Sequence, residues 1–253
     1  MAITQEHSKL IFEHYESGDL DWLAKQVNKK KHAIEEWANK RGLVRKINIR
    51  RNGSLEPLLS GTLQSFYWLD FIAADGYIHK NGHLMVSQVE KDKDTIFRFA
   101  KFLNTSVYEF EQTTTFCKCK QYRVNICDIK IGRDIRKLFN IQDHLPKTYT
   151  GISLDFITNE DQAAAFLSGF IDGDGHLDKH STYIIQCDKS WFDTFKILLS
   201  KLPKNMQNVY LALIYRKDRD KEFLNFYLRK SASNALVEFV KFNNLECSKR
   251  KFP

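Results

Sequence analysis

The stretch FLSGFIDGDGHL, residues 166–177, places Asp172 and Asp174 two positions apart after an apolar run, with Asp178 just beyond. Carboxylates so spaced suit a calcium loop, an acidic helix end, or half of a metal-dependent active site. The calcium loop fails on spacing. His176 stands at its fifth position, Leu177 where the turn glycine belongs, and Tyr183 where a bidentate glutamate is needed. Choosing between the other two depends on whether the chain supplies a second acid.

It does. FYWLDFIAADGYI (66–78) aligns without gaps on AFLSGFIDGDGHL (165–177), which sets Asp75 99 residues before Asp174. Downstream, LMVSQVEKDKDTIFRFAKFL parallels YIIQCDKSWFDTFKILLSKL and matches Gln88 with Gln186 at an offset of 98. Val107-Tyr108 then matches Val209-Tyr210, and Lys147 matches Lys249, both at 102. The chain is therefore a duplication with a period near 100. Each copy predicts helix, two strands, helix, two strands, helix: 62–75, 77–89, 91–103, 106–126 and 128–140, then 161–174, 176–187, 189–202, 207–229 and 231–243.

Those elements must position the acids. Asp75 and Asp174 each end a helix, where a carboxylate opposes the dipole unless a cation compensates. The residues just before them, Ala74 and Gly173, are small enough to let the two helices approach. Carboxylates brought together repel, and an oxygen-seeking divalent ion relieves the repulsion. Over a phosphodiester, such a cluster can deprotonate water and stabilise the leaving oxygen. The strands add a surface: Tyr122, Val124 and Ile126 alternate with Gln121, Arg123 and Asn125, and Leu224, Phe226 and Leu228 alternate with Asn225, Tyr227 and Arg229. One face is thus apolar, to be covered by helices, and the other carries side chains able to pair with base edges.

The 253-residue chain has a net charge of +8, favouring a polyanionic partner, and 13% aromatics, too many for a disordered basic tail. Its apolar runs are too short to cross a membrane, and the start lacks a signal-peptide core, so a cytoplasmic protein of bacterial or phage setting is expected, with an organellar one open. Cys117 and Cys119 read as small strand residues rather than zinc ligands. Residues 5–44 predict three short helices in a helix-turn-helix pattern, and ten Lys/Arg face only two Glu between Lys25 and Arg51. Lys30, Lys31, His32, Asn39 and Lys40 would lie on its groove-facing side. The expected organisation is a DNA-binding module at 1–48, a linker at 49–60, and repeats at 61–150 and 151–253.

The motifs LSGFIDGDG (167–175) and, more loosely, WLDFIAADG (68–76) give the chain a resemblance to the LAGLIDADG homing endonuclease family in its single-chain, two-repeat form, over residues 60–253. The resemblance implies an α+β, pseudo-twofold αββαββα core whose antiparallel sheets form a saddle on double-stranded DNA, a monomer with an internal pseudo-dimer. It also implies hydrolysis of both strands to short staggered ends with two or three Mg²⁺ ions at the repeat interface, Mn²⁺ serving as a substitute. Asp75 and Asp174 would be the metal-binding acids, Gln88 and Gln186 would order waters, and Lys147 and Lys249 would offset transition-state charge, with Arg250 and Lys251 competing for the last role. Two departures stand out: Ala73 replaces the motif's sixth-letter acid, and Asp70 replaces the glycine found at Gly169, where it would loosen or ion-pair the helix interface. An RNA maturase and a catalytically inactive DNA-binding regulator are the alternatives. An intein is set aside, since the chain starts with Met and ends KRKFP.

Overall fold

The computed structural model describes residues 3–15, 20–43, 53–113, 118–142, 151–178, 182–217 and 220–252. The chain divides into two compact units, Met1–Asn52 and Gly53–Pro253. The first holds α1 (Gln5–His14), α2 (Leu20–Gln26) and α3 (Lys31–Asn39). Thr4 caps α1 through its side chain. Asn28 turns the chain between α2 and α3 at φ 45°, and Gly42 ends α3 at φ 72°, where Leu43 N–H returns to the Ala38 carbonyl. Ile11, Tyr15, Leu23, Val27, Ile34 and Ala38 form the core of this three-helix unit.

The second unit carries the duplication. Helix α4 (Leu63–Asp75) leads into β1 (Gly76–Ile78), β2 (His83–Val89), α5 (Lys93–Phe102), β3 (Tyr108–Thr113), β4 (Lys118–Cys127) and α6 (Ile129–Leu138). The second copy repeats the order as α7 (Glu160–Asp174), β5 (Gly175–Leu177), β6 (Tyr183–Asp188), α8 (Phe192–Lys201), β7 (Val209–Arg216), β8 (Lys221–Leu228) and α9 (Lys230–Phe242). Each copy forms a four-stranded antiparallel sheet, ordered β1-β2-β4-β3 and β5-β6-β8-β7. The expected linker differs from the structure at 53–60. Leu55 and Leu58 are fully buried in the core of the second unit, because a 3₁₀ turn at Glu56–Leu59 packs them there.

Two sequence features bring α4 and α7 together. Phe66 to Ala73 of α4 are all buried, as a helix surrounded by protein requires. Gly169 removes the side chain at the crossing: a Cβ there would lie 2.0 Å from the Tyr67 carbonyl oxygen. The helices are capped at their amino ends by Thr62 and Asn159, and both end by running straight into strands β1 and β5. Among the described residues, no helix is long and apolar enough to cross a membrane.

Candidate active site at the paired helix ends

At the carboxyl ends of α4 and α7, the Asp75 carboxylate lies against Gly173. A Cβ on Gly173 would stand 3.1 Å from Asp75 Oδ2 and 2.6 Å from the Ala74 Cβ. Asp174 follows directly in the chain and is exposed. Gln88 Nε2 donates to Asp75 Oδ2 at 2.6 Å. Strand parity explains that bond, since Gln88 shares the helix-facing side of β2 with buried Leu84 and Val86.

The last carbonyls of α7 have no partner within the helix. Lys251 supplies one: its buried Nζ donates to Asp172 O, to Gly173 O at 2.7 Å and to Ile171 O at 3.1 Å. Burial holds its pKa below the ordinary value, while the Asp172 and Asp75 charges pull the other way. Asp172 itself is buried, accepting from the Tyr67 hydroxyl and from Ser248 N–H at 2.9 Å, with Arg98 at 3.7 Å. That carboxylate pins the C-terminal segment to α7; burial and the Asp172 charge push the Tyr67 hydroxyl well above its ordinary value. Asp178 accepts Thr182 N–H and belongs to the β5–β6 turn. Asp70 Oδ2 accepts the Phe170 N–H at 3.1 Å across the helix pair.

A cavity of about 230 Å³ beside Asp174 is shared by Ala74, Gln186, Cys187, Asp188 and Lys221. Asp188 pairs with Lys221. Burial would raise the Asp188 carboxyl, but Lys221 and the Ser190 main-chain and hydroxyl groups hold it low. Burial, with Asp174 and Asp188 alongside, pushes the Cys187 thiol far above its ordinary value.

Among the described residues, no three His, Cys, Asp or Glu side chains gather as a metal-binding cluster. While the α7 carbonyls are taken by Lys251, the helix ends offer two carboxylates, an all-oxygen set. It suits Mg²⁺, which keeps waters and takes phosphate oxygens instead of a full protein cage.

No protein-family model and no curated protein matches the chain. Among solved structures, it is similar to the homing endonuclease I-WcaI bound to its DNA recognition sequence, at 15% identity and a TM-score of 0.51, over 78% of this chain and 91% of that one. The fold is that of the LAGLIDADG homing endonucleases. I-DmoI in complex with DNA and Ca matches at 15% identity and 0.41, over 71% and 88%. The N-terminal LAGLIDADG domain of WhiA matches at 14% and 0.44, over 73% and 88%.

Three placements within the LAGLIDADG fold differ from expectation. The match of Gln88 with Gln186 is off by one position. Gly76 pairs with Val86 and Gly175 with Ile185, so the register offset is 99, and Gln88 corresponds to Cys187 while Gln186 corresponds to Ser87. A one-residue slip turns a side chain to the opposite face. Gln186 accordingly lies with the outward residues, donating to Asn225 Oδ1 at 2.9 Å and accepting from Arg216 at 3.2 Å. Lys249 is exposed and lines a separate cavity of about 550 Å³ with Arg98 and Arg250, so the lysine at the helix end is Lys251. Asn225 is buried rather than presented, because Gln186 and the Tyr227 hydroxyl (2.8 Å) occupy its amide.

Of the other expected contacts, Asn125 is exposed and Gln121 half-buried. Arg123 bonds Ser87 at 2.8 Å and covers the Phe110 ring. Tyr227 is half-buried, and Arg229 stands exposed at the start of α9, past the end of β8. Tyr108 pairs with Arg123 but Tyr210 with Tyr227, so that sequence match slips by two, which keeps the same face. In the first unit Lys30, Lys31, His32, Asn39 and Lys40 are exposed, with Lys40 tied to Glu36 at 2.7 Å. Lys147 and Cys117 lie outside the described residues. Cys187, Asp188 and Lys221 are not singled out from the sequence, and Lys251 stands there only as a competitor of Lys249; aligning the copies at a constant 99 through the second strand would have flagged the first two.

Proposed function

We propose that this protein is a divalent-metal-dependent, site-specific DNA endonuclease that hydrolyses both strands of a long site to short staggered ends. The observation that carries the reading is the convergence of α4 and α7, which brings the Asp75 carboxylate against the residue preceding Asp174. Asp75 and Asp174 are the residues to hold Mg²⁺ or Mn²⁺, which when bound neutralises phosphate charge and acidifies water. Gln88 fixes the Asp75 carboxylate through its amide. Lys251 keeps positive charge beside the acids, Lys147 is the cation that offsets transition-state charge in the first half, and Lys249 is left as a phosphate contact. Water adds to phosphorus and one bridging P–O bond breaks; one proton of the attacking water passes to solvent, and the departing oxygen takes a proton from solvent to leave as hydroxyl. Gln121, Arg123, Asn125, Tyr227 and Arg229 are the DNA contacts of the sheets, with Asn225 and Gln186 bracing Tyr227 and Arg216. Lys30, Lys31, His32, Asn39 and Lys40 are those of the first unit.

The test uses duplexes selected for binding from a random pool, cloned into a supercoiled plasmid and incubated with Mg²⁺. Cleavage is expected, and Asp75→Asn or Asp174→Asn should lower it on the order of 100-fold or more with binding retained. Binding without any product supports the second reading, a DNA-binding regulator. One observation favours that alternative: Lys251 already compensates the α7 carboxyl end without metal.

A further inference from the structure

We propose that the two halves of the cleft cut their strands unequally: the half built on Asp75 and Gln88 acts first, and Cys187 makes the Asp174 half the slow one. The inference rests on the endonuclease reading and concerns how that site is divided between the two strands.

The register of the two sheets carries it. With Gly76 opposite Val86 and Gly175 opposite Ile185, the position from which Gln88 reaches Asp75 is filled in the second copy by Cys187. Both side chains have the same parity, following buried Leu84 and Val86 in one strand and buried Tyr183 and Ile185 in the other. A glutamine amide offers two N–H donors to fix a carboxylate and a carbonyl oxygen to accept from water, whereas a thiol is a weak donor and a weak acceptor. Gln186 does not replace the missing amide, because its own is engaged by Asn225 and Arg216 on the outward face. The same comparison adds a buried-acid ion pair to the second half. Asp188 and its Lys221 partner stand where the first copy has Val89 and Cys119. The Asp174 carboxylate therefore shares its cavity with another acid, a thiol and a glutamine whose amide is already engaged by Asn225 and Arg216, and the Asp75 carboxylate is aligned by an amide.

The experiment follows strand-specific products from a supercoiled plasmid carrying a duplex selected from a random pool, with Mg²⁺. Wild type is expected to accumulate circles nicked in one strand, the second cut being roughly 10- to 100-fold slower, the range expected when the hydrogen bond that orients a metal-binding carboxylate is lost. Cys187→Gln should speed the second cut and leave the first unchanged; Cys187→Asn serves if the longer side chain does not fit. Gln88→Cys should slow the first cut alone. Independently of turnover, Mn²⁺ titrated into the protein–duplex complex and followed by electron paramagnetic resonance should report two unequal sites in wild type that converge in Cys187→Gln. Equal strand rates in wild type, or a folded Cys187→Gln with an unchanged second cut, overturn the inference alone. Retained duplex binding with no cleavage in Mg²⁺ or Mn²⁺ overturns the endonuclease reading and this inference together.

Discussion

Lys251 is the clearest case of a residue whose role is set by its surroundings. Two helix-end carbonyls, of Asp172 and Gly173, depend on its ammonium, and the Ile171 carbonyl shares it with the Gly175 N–H, while burial makes that ammonium costly to charge. Lys251→Met keeps the bulk and removes the donors, so it should destabilise the fold by about 1–3 kcal/mol, the cost of stranding buried acceptors. The pH dependence has a definite sign. The folded pKa lies below the ordinary 10.5, so between those values the unfolded chain binds the extra proton and stability rises with pH. Urea unfolding measured as the pH rises towards 10.5 should show that gain in wild type and lose it in Lys251→Met; identical profiles would refute the assignment. Sequence made Asp75 and Asp174 legible because a repeated motif marks them. It could not choose among Lys249, Arg250 and Lys251. That choice is made by a turn in which Ser248 O accepts both Lys251 and Phe252 N–H, and by the packing of Phe252 on Tyr183.

At the scale of elements, the site depends on how closely α4 and α7 approach. Gly169 meets the Tyr67 carbonyl and the Phe71 amide directly, so any side chain must part the backbones. Gly169→Ala should cost about 1–3 kcal/mol or more, as overpacking of a tight core does. It should also slow cleavage, because separating the helices withdraws Asp75 from Gly173; thermal melting and plasmid cleavage measure the two effects. A variant that melts with wild type and cuts at full rate would show that close approach is dispensable. On the other motif helix the matching position is Asp70, whose carboxylate reaches over to the Phe170 N–H rather than blocking the crossing. Helices, strands and their order were legible from period and apolar alternation. Register was not, because two similar residues one position apart, Gln88 and Gln186, invited an alignment that the β1–β2 and β5–β6 hairpins do not permit. A slip of two at Tyr108 and Tyr210 did no such harm, since parity survives it.

For the whole molecule, charge and duplication were legible while the division of labour was not. The net charge of +8 announces a polyanion, but much of the local positive excess falls, in sequence, within residues 25–51, in the unit that does not carry the paired acids. If that unit grips phosphates, its contribution is a counterion-release term, independent of sequence and of the chemistry at Asp75 and Asp174. Reversing two exposed lysines, Lys30→Glu and Lys31→Glu together, should lower the steepness of log affinity against log salt by about 2, close to 0.9 for each phosphate no longer neutralised. Binding of the selected duplex between about 50 and 200 mM salt, the range where such slopes are read, provides the measurement. The rate of cutting at saturating protein should stay at the wild-type value, since neither lysine belongs to the unit that holds the acids. An unchanged slope would mean that the three helices do not touch the DNA backbone, and a fall in the saturated rate would mean that the first unit acts on catalysis rather than on affinity.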